Sequence, residues 1–278
     1  MEYSNRFTVF IDLLGFRKIV EQTVDNKEFF DGIYNVLSSL KSDVVPMEAY
    51  VQINKEAVGK EELDKMMKDI SLLIEAFRID YPIAFTHFSD SLVISCEAAN
   101  EDSCFVIFEL LGRLNFRFWN EYKLVLRGGL TVGKLVHEEN GLLFGPAMVK
   151  AYHLESKLAI YPRILIDKDV ANKTQRGRLF EIMANLFAEA EDGMAEISLA
   201  SSLNYLLQSI FAMHPAQHTK YLSVFEDSIA QLELIRDSND DEKIKAKYSW
   251  LASKVKVAYD NLPPESKIKL RPPPAPME

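Results

Sequence analysis

The sequence predicts an α+β fold, in which a mixed sheet packs against helices and is followed by a helical extension. Up to about residue 170, apolar runs rich in β-branched and aromatic residues mix with helical periodicity, without strict strand–helix alternation. Beyond that point the chain carries long amphipathic segments. A length of 278 residues allows one large domain or two small ones.

The first half predicts the element order strand, helix, insertion, two strands, helix, two strands, helix, strand. Residues 7–13 form a compact apolar run typical of a buried central strand, and residues 15–41 have the spacing of one helix or two. Residues 42–82 are interpreted as an insertion with a strand-like segment and an amphipathic helix. The remaining predicted elements are a hairpin of 83–88 and 91–96, a helix at 101–122, strands at 125–136 and 141–144, a helix at 146–157 and a strand at 163–166. This order favours a ferredoxin-like sandwich.

The second half predicts helices at 199–213, 220–235 and 243–259, with a short strand near 194–199 that rejoins the sheet. We divide the chain into a core domain of residues 1–170, a helical extension of residues 171–262 packed on that core, and a proline-rich tail of residues 263–278. The prolines at 272–276 exclude helix and sheet interior, so the tail is expected to be disordered. The lysines between 243 and 256 are expected to form a solvated helix face.

Composition limits the partners and the compartment. The formal net charge of −9 disfavours sequence-independent binding to nucleic acid. Cys96 and Cys104 lie in apolar surroundings, which predicts buried free thiols in a reducing compartment. Residues 1–6 lack a signal-peptide pattern, and no apolar run reaches the roughly 20 residues of a membrane helix. We therefore expect a cytoplasmic protein with neither nucleic acid nor a membrane as partner.

Two short acidic turns carry the functional signal. Asp12 follows the first strand-like run and Asp90 lies at the hairpin turn, so each places a carboxylate where a strand ends. Gly15 and Phe16 then open a helix. Free backbone N–H groups at a helix start, beside an acid able to hold Mg²⁺, predict a triphosphate site. A helix-capping role for Asp12 and a simple turn role for Asp90 are the structural alternatives.

Four motifs in order resemble the class III nucleotide cyclases over roughly residues 7–167. The family's strand ending in Asp-[Ile/Leu]-x-Gly-Phe is matched by residues 12–16, and its hairpin acid by Asp90. Its Arg-x-Gly-[Ile/Leu]-x-x-Gly strand is matched by residues 127–133, and its Ala-x-x-Leu-Glu helix by residues 151–155. The resemblance implies a ferredoxin-like class III cyclase catalytic core with an inserted helix.

The resemblance also implies a mechanism. Asp12 and Asp90, with the backbone carbonyl of Leu13, are expected to hold two divalent cations, Mg²⁺ or Mn²⁺. These promote attack of the ribose 3′-hydroxyl on the α-phosphorus, with pyrophosphate leaving. The backbone N–H groups of Gly15 and Phe16 are expected to bind phosphate oxygens.

The remaining roles implied by the resemblance lie on the second strand motif and the following helix. Arg127 is expected to contact the triphosphate, and Tyr152 to help bind the substrate. His153 is the candidate for the third catalytic residue. In the family, two chains pair head to tail and share their sites, so a homodimer with sites at the interface follows.

Departures from the family pattern bear on the substrate. The lysine that purine cyclases carry four residues before the hairpin acid is Thr86 here, and its aspartate partner falls on Leu142. The usual transition-state asparagine aligns with Val149 and the arginine with His153. Either other groups stabilise the charge, or activity has been lost.

One branch of the family fits this pattern better, the Pycsar pyrimidine cyclases of bacterial anti-phage defence. Its Gly-Pro-Ala…Ala-Tyr-x-Leu-Glu helix is matched by residues 145–147 and 151–155. This resemblance implies conversion of UTP to cyclic UMP or, less favoured, of CTP to cyclic CMP. The product is expected to act as a second messenger that a separate effector protein reads.

Three alternatives stay open. The first is a catalytically silent nucleotide sensor of the same fold, and the second is a cyclase with a purine substrate. The third is another metal-dependent phosphotransferase, such as a diguanylate cyclase or polymerase-palm relative. The absence of a Gly-Gly-Asp/Glu-Glu-Phe hairpin counts against the last of these.

Overall fold

The computed structural model describes residues 2–39, 83–138, 141–177, 180, 183–190, 193–213 and 218–267. In the first half these form β1 (Ser4–Leu14), α1 (Phe16–Thr23), α2 (Lys27–Ser39), β2 (Ala84–Phe88), β3 (Ser91–Glu97), α3 (Phe105–Tyr122), β4 (Val125–His137) and β5 (Leu143–Phe144). They continue with α4 (Pro146–His153), a π-helix (Leu154–Leu158) and β6 (Arg163–Ile166). The helix predicted from residue 101 begins at Phe105, and the predicted insertion at 42–82 lies outside the described residues.

The second half adds α5 (Lys168–Thr174), a 3₁₀ turn (Ala184–Leu186), β7 (Ala188–Glu189), β8 (Ala195–Ser198), α6 (Leu199–Met213), α7 (His218–Asp237), α8 (Glu242–Asp260) and a last 3₁₀ turn (Pro264–Lys267). The three long predicted helices are confirmed within two residues at each end. The tail placed from residue 263 begins with an ordered turn, because Lys267 Nζ donates a hydrogen bond to the Asp260 carbonyl at 2.8 Å. Residues 268–278 lie outside the described part.

The strands form one mixed sheet in the order β2-β3-β1-β4-β6-β8-β7, with β5 paired to β4. Strand β1 is antiparallel to β3 and β4, whereas β4 is parallel to β6. The β2-β3-β1-β4 portion, with helices between β1 and β2 and between β3 and β4, has the ferredoxin-like order and confirms the α+β fold class. Strand β8 pairs with β6, as predicted for residues 194–199. The extension therefore contributes strands as well as helices.

Alternation along β1 divides the sheet into two faces. Phe7, Val9, Ile11 and Leu13 point into the main apolar core, which α3 covers. Phe10 lies on the opposite face in a small cluster under α4. Asp12, two residues further, shares that second face. Cys96 and Cys104 are buried free thiols, as predicted.

The helical extension packs on the sheet at the end where β1 finishes. Its core joins Trp119 and Val125 to residues of α6, α7 and α8, and Leu14 packs against this cluster. Trp119 Nε1 donates a hydrogen bond to Ser228 Oγ of α7 at 2.8 Å. The extension thus borders the turn that follows Asp12. Among the helices described, none has the length and apolar character needed to cross a membrane.

Candidate active site

Backbone pairing brings Asp12 and Asp90 to the same end of the sheet. In the register, Asp12 lies between Ser91 of β3 and Arg127 of β4. The Leu13 N–H donates a hydrogen bond to the Asp90 carbonyl at 2.9 Å, which ties the hairpin turn to β1. The Asp90 charge acts on Asp12 and contributes to raising its pKa. The structure therefore brings the two predicted carboxylates together.

The turn after Asp12 leads directly into a helix, as the sequence predicted. Gly15 has φ 90°, a left-handed conformation that glycine adopts without strain, and α1 begins at Phe16. The N-cap residue, Gly15, has no side chain to accept a hydrogen bond from the first-turn N–H groups. The Phe16 ring is buried, which anchors the turn. The phosphate-binding role of Gly15 and Phe16 stays a prediction.

Arg127 joins two carboxylates on this face. Its Nη2 lies 2.6 Å from Asp12 Oδ2 and 2.5 Å from Glu155 Oε1. The second contact is an ion pair and not a hydrogen bond, because Glu155 Oε1 has no hydrogen-bond partner within the described residues. Arg127 Nε is also buried there without a hydrogen-bond partner. Glu155 lies in the π-helix with a side chain only 4% exposed. The motif match named Glu155 but gave it no role, because a π-turn is invisible to helical periodicity.

Burial and like charge govern the acids of this cluster. Burial raises the pKa of Asp12, Arg127 opposes that rise and Asp90 reinforces it. Burial likewise raises the pKa of Glu155, opposed by Arg127 and reinforced by Asp12. Asp12 is thus within electrostatic range of Asp90 and of Glu155, and a cation bound there would relieve both the repulsion and the lost hydration.

A lysine from the C-terminal helix lies within electrostatic range of the same cluster. Lys247 of α8 is half-buried, and its charge acts on both Asp12 and Glu155 to lower their pKa values. Burial lowers the pKa of Lys247 itself, as does Arg127. The expectation that lysines 243–256 form a solvated face is wrong at this position. Its spacing of four from buried Leu251 was the available sequence signal.

The donor set fits a hard divalent cation. Mg²⁺ is usually held by one or two carboxylates plus water and substrate phosphates, and Mn²⁺ accepts similar oxygen ligands. Asp12 and Asp90 supply two carboxylates, and Asp12 already pairs with a cationic group. Within the described ranges, no group of three or more His, Cys, Asp or Glu side chains is arranged to hold a metal. Metal binding by Asp12, Leu13 and Asp90 stays a prediction.

A separate chain of polar groups crosses the sheet nearer the start of β1, away from Asp12. Thr86 Oγ1 lies 3.0 Å from His137 Nε2, and His137 Nδ1 lies 2.8 Å from Ser95 Oγ. Arg6 Nε donates a hydrogen bond to Ser95 Oγ at 2.9 Å. Burial, reinforced by the Arg6 charge, lowers the pKa of His137 to about 4. The imidazole is thus neutral at neutral pH, and the sequence analysis missed it because strand-end histidines carry no motif.

The remaining candidates lie on the outer side of α4. Tyr152, 52% exposed, packs its ring edge-on against Phe10 with centroids 5.3 Å apart. His153 and Val149 are exposed, whereas Ala151 faces the sheet. The structure does not bring His153 or Tyr152 into the buried Asp12–Arg127–Glu155 cluster. Their catalytic and substrate-binding roles stay predictions that need a partner surface.

Comparisons with known proteins give a limited result. No family model matches the chain, and no curated protein matches it. Solved structures that resemble it include the adenylyl cyclase CyaB from P. aeruginosa, with a TM-score of 0.38, 12% identity, and coverage of 71% of this chain and 94% of that one. The catalytic core of a rhodopsin-guanylyl cyclase with converted specificity, in complex with ATPαS, also resembles it. The TM-score is 0.34 at 13% identity, with coverage of 71% of this chain and 96% of that one.

A guanylyl cyclase domain of the RhoGC fusion protein from the aquatic fungus Blastocladiella emersonii gives a TM-score of 0.32 at 13% identity, covering 71% of this chain and 96% of that chain. Superpositions this loose assign no activity to the chain. The functional conclusion is therefore drawn from its own residues.

Proposed function

We propose that this protein is a nucleotide cyclase that converts a pyrimidine nucleoside triphosphate, UTP before CTP, to the 3′,5′-cyclic monophosphate and pyrophosphate. The observation that carries the proposal is the pair Asp12 and Asp90, two strand-end carboxylates joined by the Leu13–Asp90 backbone hydrogen bond. They stand beside an uncapped helix start, where backbone N–H groups favour phosphate.

The chain's own residues have distinct tasks in this reaction. Asp12, Asp90 and the Leu13 carbonyl would hold Mg²⁺ or Mn²⁺, which neutralise phosphate charge and make the 3′-hydroxyl more acidic. Arg127 keeps Glu155 as its partner and offers its unbonded Nε to phosphate oxygens. The 3′-hydroxyl loses its proton to solvent and its oxygen bonds to the α-phosphorus, while the bond from that phosphorus to the bridging oxygen breaks and pyrophosphate leaves.

The polar chain on β2 and β4 supports a pyrimidine substrate. Where purine cyclases carry a lysine, Thr86 offers only a hydroxyl, already in contact with neutral His137. Leu142, in place of the aspartate partner, supplies no side-chain acceptor. The charged donor–acceptor pair that reads a purine edge is missing. The bulky side chains of Phe144 and Tyr152 are compatible with a base pocket that fits the smaller pyrimidine ring.

A second copy of the chain is the proposed partner. Four large apolar side chains on β5, on α4 and just before β5 are exposed, which is unusual for a surface without a partner: Leu142, Phe144, Val149 and Tyr152. A head-to-tail homodimer covers them and completes each site across the interface. The cyclic product is then read by a separate effector protein in anti-phage signalling.

A product scan tests the proposal. Purified protein is incubated with each of the four nucleoside triphosphates and Mn²⁺, and products are identified by mass spectrometry. We expect cyclic UMP above cyclic CMP, and none from Asp12→Asn or Asp90→Asn, while the matched surface change Asp240→Asn leaves the yield unchanged. A purine product moves the proposal to the purine alternative. Linear or dinucleotide products indicate another phosphotransferase.

The silent-sensor alternative rests on a specific observation. Val149 and His153 replace the asparagine and arginine expected at the transition state, and both are exposed. Tight metal-dependent binding of a nucleotide without turnover would favour the sensor. Turnover that survives His153→Ala removes His153 from the catalytic set without affecting the proposal.

A further inference from the structure

We infer that Lys247 of α8 is a substrate-binding residue, whose ammonium binds the polyphosphate of the nucleotide held at Asp12 and Asp90. The inference rests on the proposed function and deepens it. It means that the C-terminal extension supplies part of the active site from within the same chain.

Helix α8 is held firmly at the site's edge. Trp250 stacks on Tyr161, with ring centroids 5.0 Å apart and an interplanar angle of 9°. Tyr161 follows the π-helix that carries Glu155. Leu251 and Val255 are fully buried in the extension's core. The position of Lys247, one turn before Leu251, is therefore fixed by packing.

Lys247 differs from the other lysines of α8. Lys245 pairs with Glu242 at 2.8 Å, and Lys254 lies 5.4 Å from the centre of the Trp250 ring. Lys243 and Lys256 are exposed. Lys247 is half-buried and makes no ion pair or hydrogen bond at contact distance in the parts of the chain described, although its charge acts on Asp12 and Glu155. A cation placed in this way is available to a ligand.

The charges of the site point to the polyphosphate as that ligand. Asp12, Asp90 and Glu155 are three carboxylates, against the two cations Arg127 and Lys247. Arg127 is already held between two of the acids. Metals bound to the acids bring phosphate oxygens to the same place, and a lysine ammonium binds phosphate as a compact charge with three donors.

The inference also accounts for a gap in this chain. The positions that supply an asparagine and an arginine in the resembled family are Val149 and His153, neither of which carries a permanent positive charge. Lys247 provides a permanent cation from a different element. An apolar residue at this position would pack better, because a half-buried lysine loses hydration.

Binding of inorganic tripolyphosphate with Mn²⁺, measured by calorimetry, tests Lys247 without depending on the base. We expect Lys247→Met to weaken binding about tenfold or more, as for loss of a charged hydrogen bond. Lys247→Arg should recover part of the affinity. The control Lys256→Met, which removes the same charge from the exposed side of α8, should bind like the wild type. With UTP, Lys247→Met should raise KM.

The outcomes separate the two proposals. Wild-type affinity in a folded Lys247→Met overturns the role of Lys247 and leaves the proposed function standing. If Lys247→Met does not fold, equal affinities of Lys247→Gln and Lys247→Arg overturn it instead. If the wild type binds no tripolyphosphate and forms no cyclic nucleotide, the proposed function falls, and this inference falls with it.

Discussion

At the scale of single residues, Asp12 is proposed to serve two partners in turn. In the structure it pairs with Arg127 at 2.6 Å. In the proposed complex the same carboxylate holds a divalent cation. Glu155, which also contacts Arg127, would keep the guanidinium in place if a metal took Asp12, as we propose. The cluster is thus an acid–base–acid arrangement in which one acid can be exchanged.

The raised pKa values of Asp12 and Glu155 predict how stability depends on pH. A carboxyl whose pKa is raised by folding binds more protons in the native state, so it favours the native state at low pH. The free energy of unfolding of the metal-free protein should therefore fall as pH rises above the ordinary carboxyl range. Urea titrations at several pH values measure this. Glu155→Gln should flatten the dependence, and an unchanged slope would contradict the assignment.

Arg127 is predicted to stabilise the metal-free protein. Arg127→Met leaves Asp12 and Glu155 buried without their shared cation, which should lower the free energy of unfolding by about 1–3 kcal/mol. Added Mn²⁺ should restore part of that loss, because it replaces the missing charge at Asp12. Thermal unfolding with and without Mn²⁺ measures both effects.

The matched control for Arg127 is Arg17→Met. Arg17 forms an exposed i,i+4 pair with Glu21 at 3.1 Å, and such pairs contribute little. That variant should unfold like the wild type and gain no more than the wild type from Mn²⁺. An Arg127→Met protein as stable as this control would show that the ion pairs are dispensable.

At the scale of elements, the π-helix has the largest effect on the candidate site, because it carries Glu155. The sequence predicted one helix over residues 146–157, whereas α4 ends at His153 and a π-helix follows. Gly129 allows the close approach, since a Cβ there would lie 2.6 Å from the Ala151 carbonyl oxygen. Because helix and sheet meet so closely, Glu155 reaches Arg127 on the neighbouring strand.

The protonation state of His137, at the end of β4, can also be predicted. Burial lowers the pKa of His137 to about 4, so its imidazole should stay neutral through the physiological range. NMR titration of the imidazole checks this directly. A native state that binds fewer protons than the unfolded chain loses stability as pH falls from about 6.5 toward 4. Titration of His137 near the ordinary histidine value would contradict the buried network.

The sequence was informative wherever a physical pattern is local. Strand β1, the hairpin around Asp90 and β4 follow from apolar runs and turn residues, and α6–α8 follow from their periodicity. Strand β7 has only two residues, too short for any pattern. The partners of Arg127 and the inward direction of Lys247 depend on contacts between distant segments, which spacing along the chain does not encode.

At the scale of the whole molecule, the exposed face of α4 predicts self-association. Val149 is 69% exposed, and a charge there should oppose burial against a second copy. Val149→Glu should shift the protein to monomer in analytical ultracentrifugation and reduce cyclic-product yield with it. Val24→Glu, at a residue that is 79% exposed on another element, is the control. A monomeric wild type, or a Val149→Glu dimer, would contradict the proposed interface.

The extension contributes both to the sheet and to the surroundings of the candidate site. It adds β8 to the sheet, builds its own apolar core on Trp119 and Val125, and brings α8 beside the strand-end acids. Sheet, π-helix and extension thus converge on one cluster of charges. The proposed activity depends on all three.

The most direct measurement is an anomalous difference map from crystals grown with Mn²⁺ and a non-hydrolysable UTP analogue. We expect manganese between the carboxylates of Asp12 and Asp90, bridging to the phosphates, with Arg127 Nη2 withdrawn from Asp12. Bound analogue with manganese at another place, and Arg127 still joined to Asp12, would contradict the account.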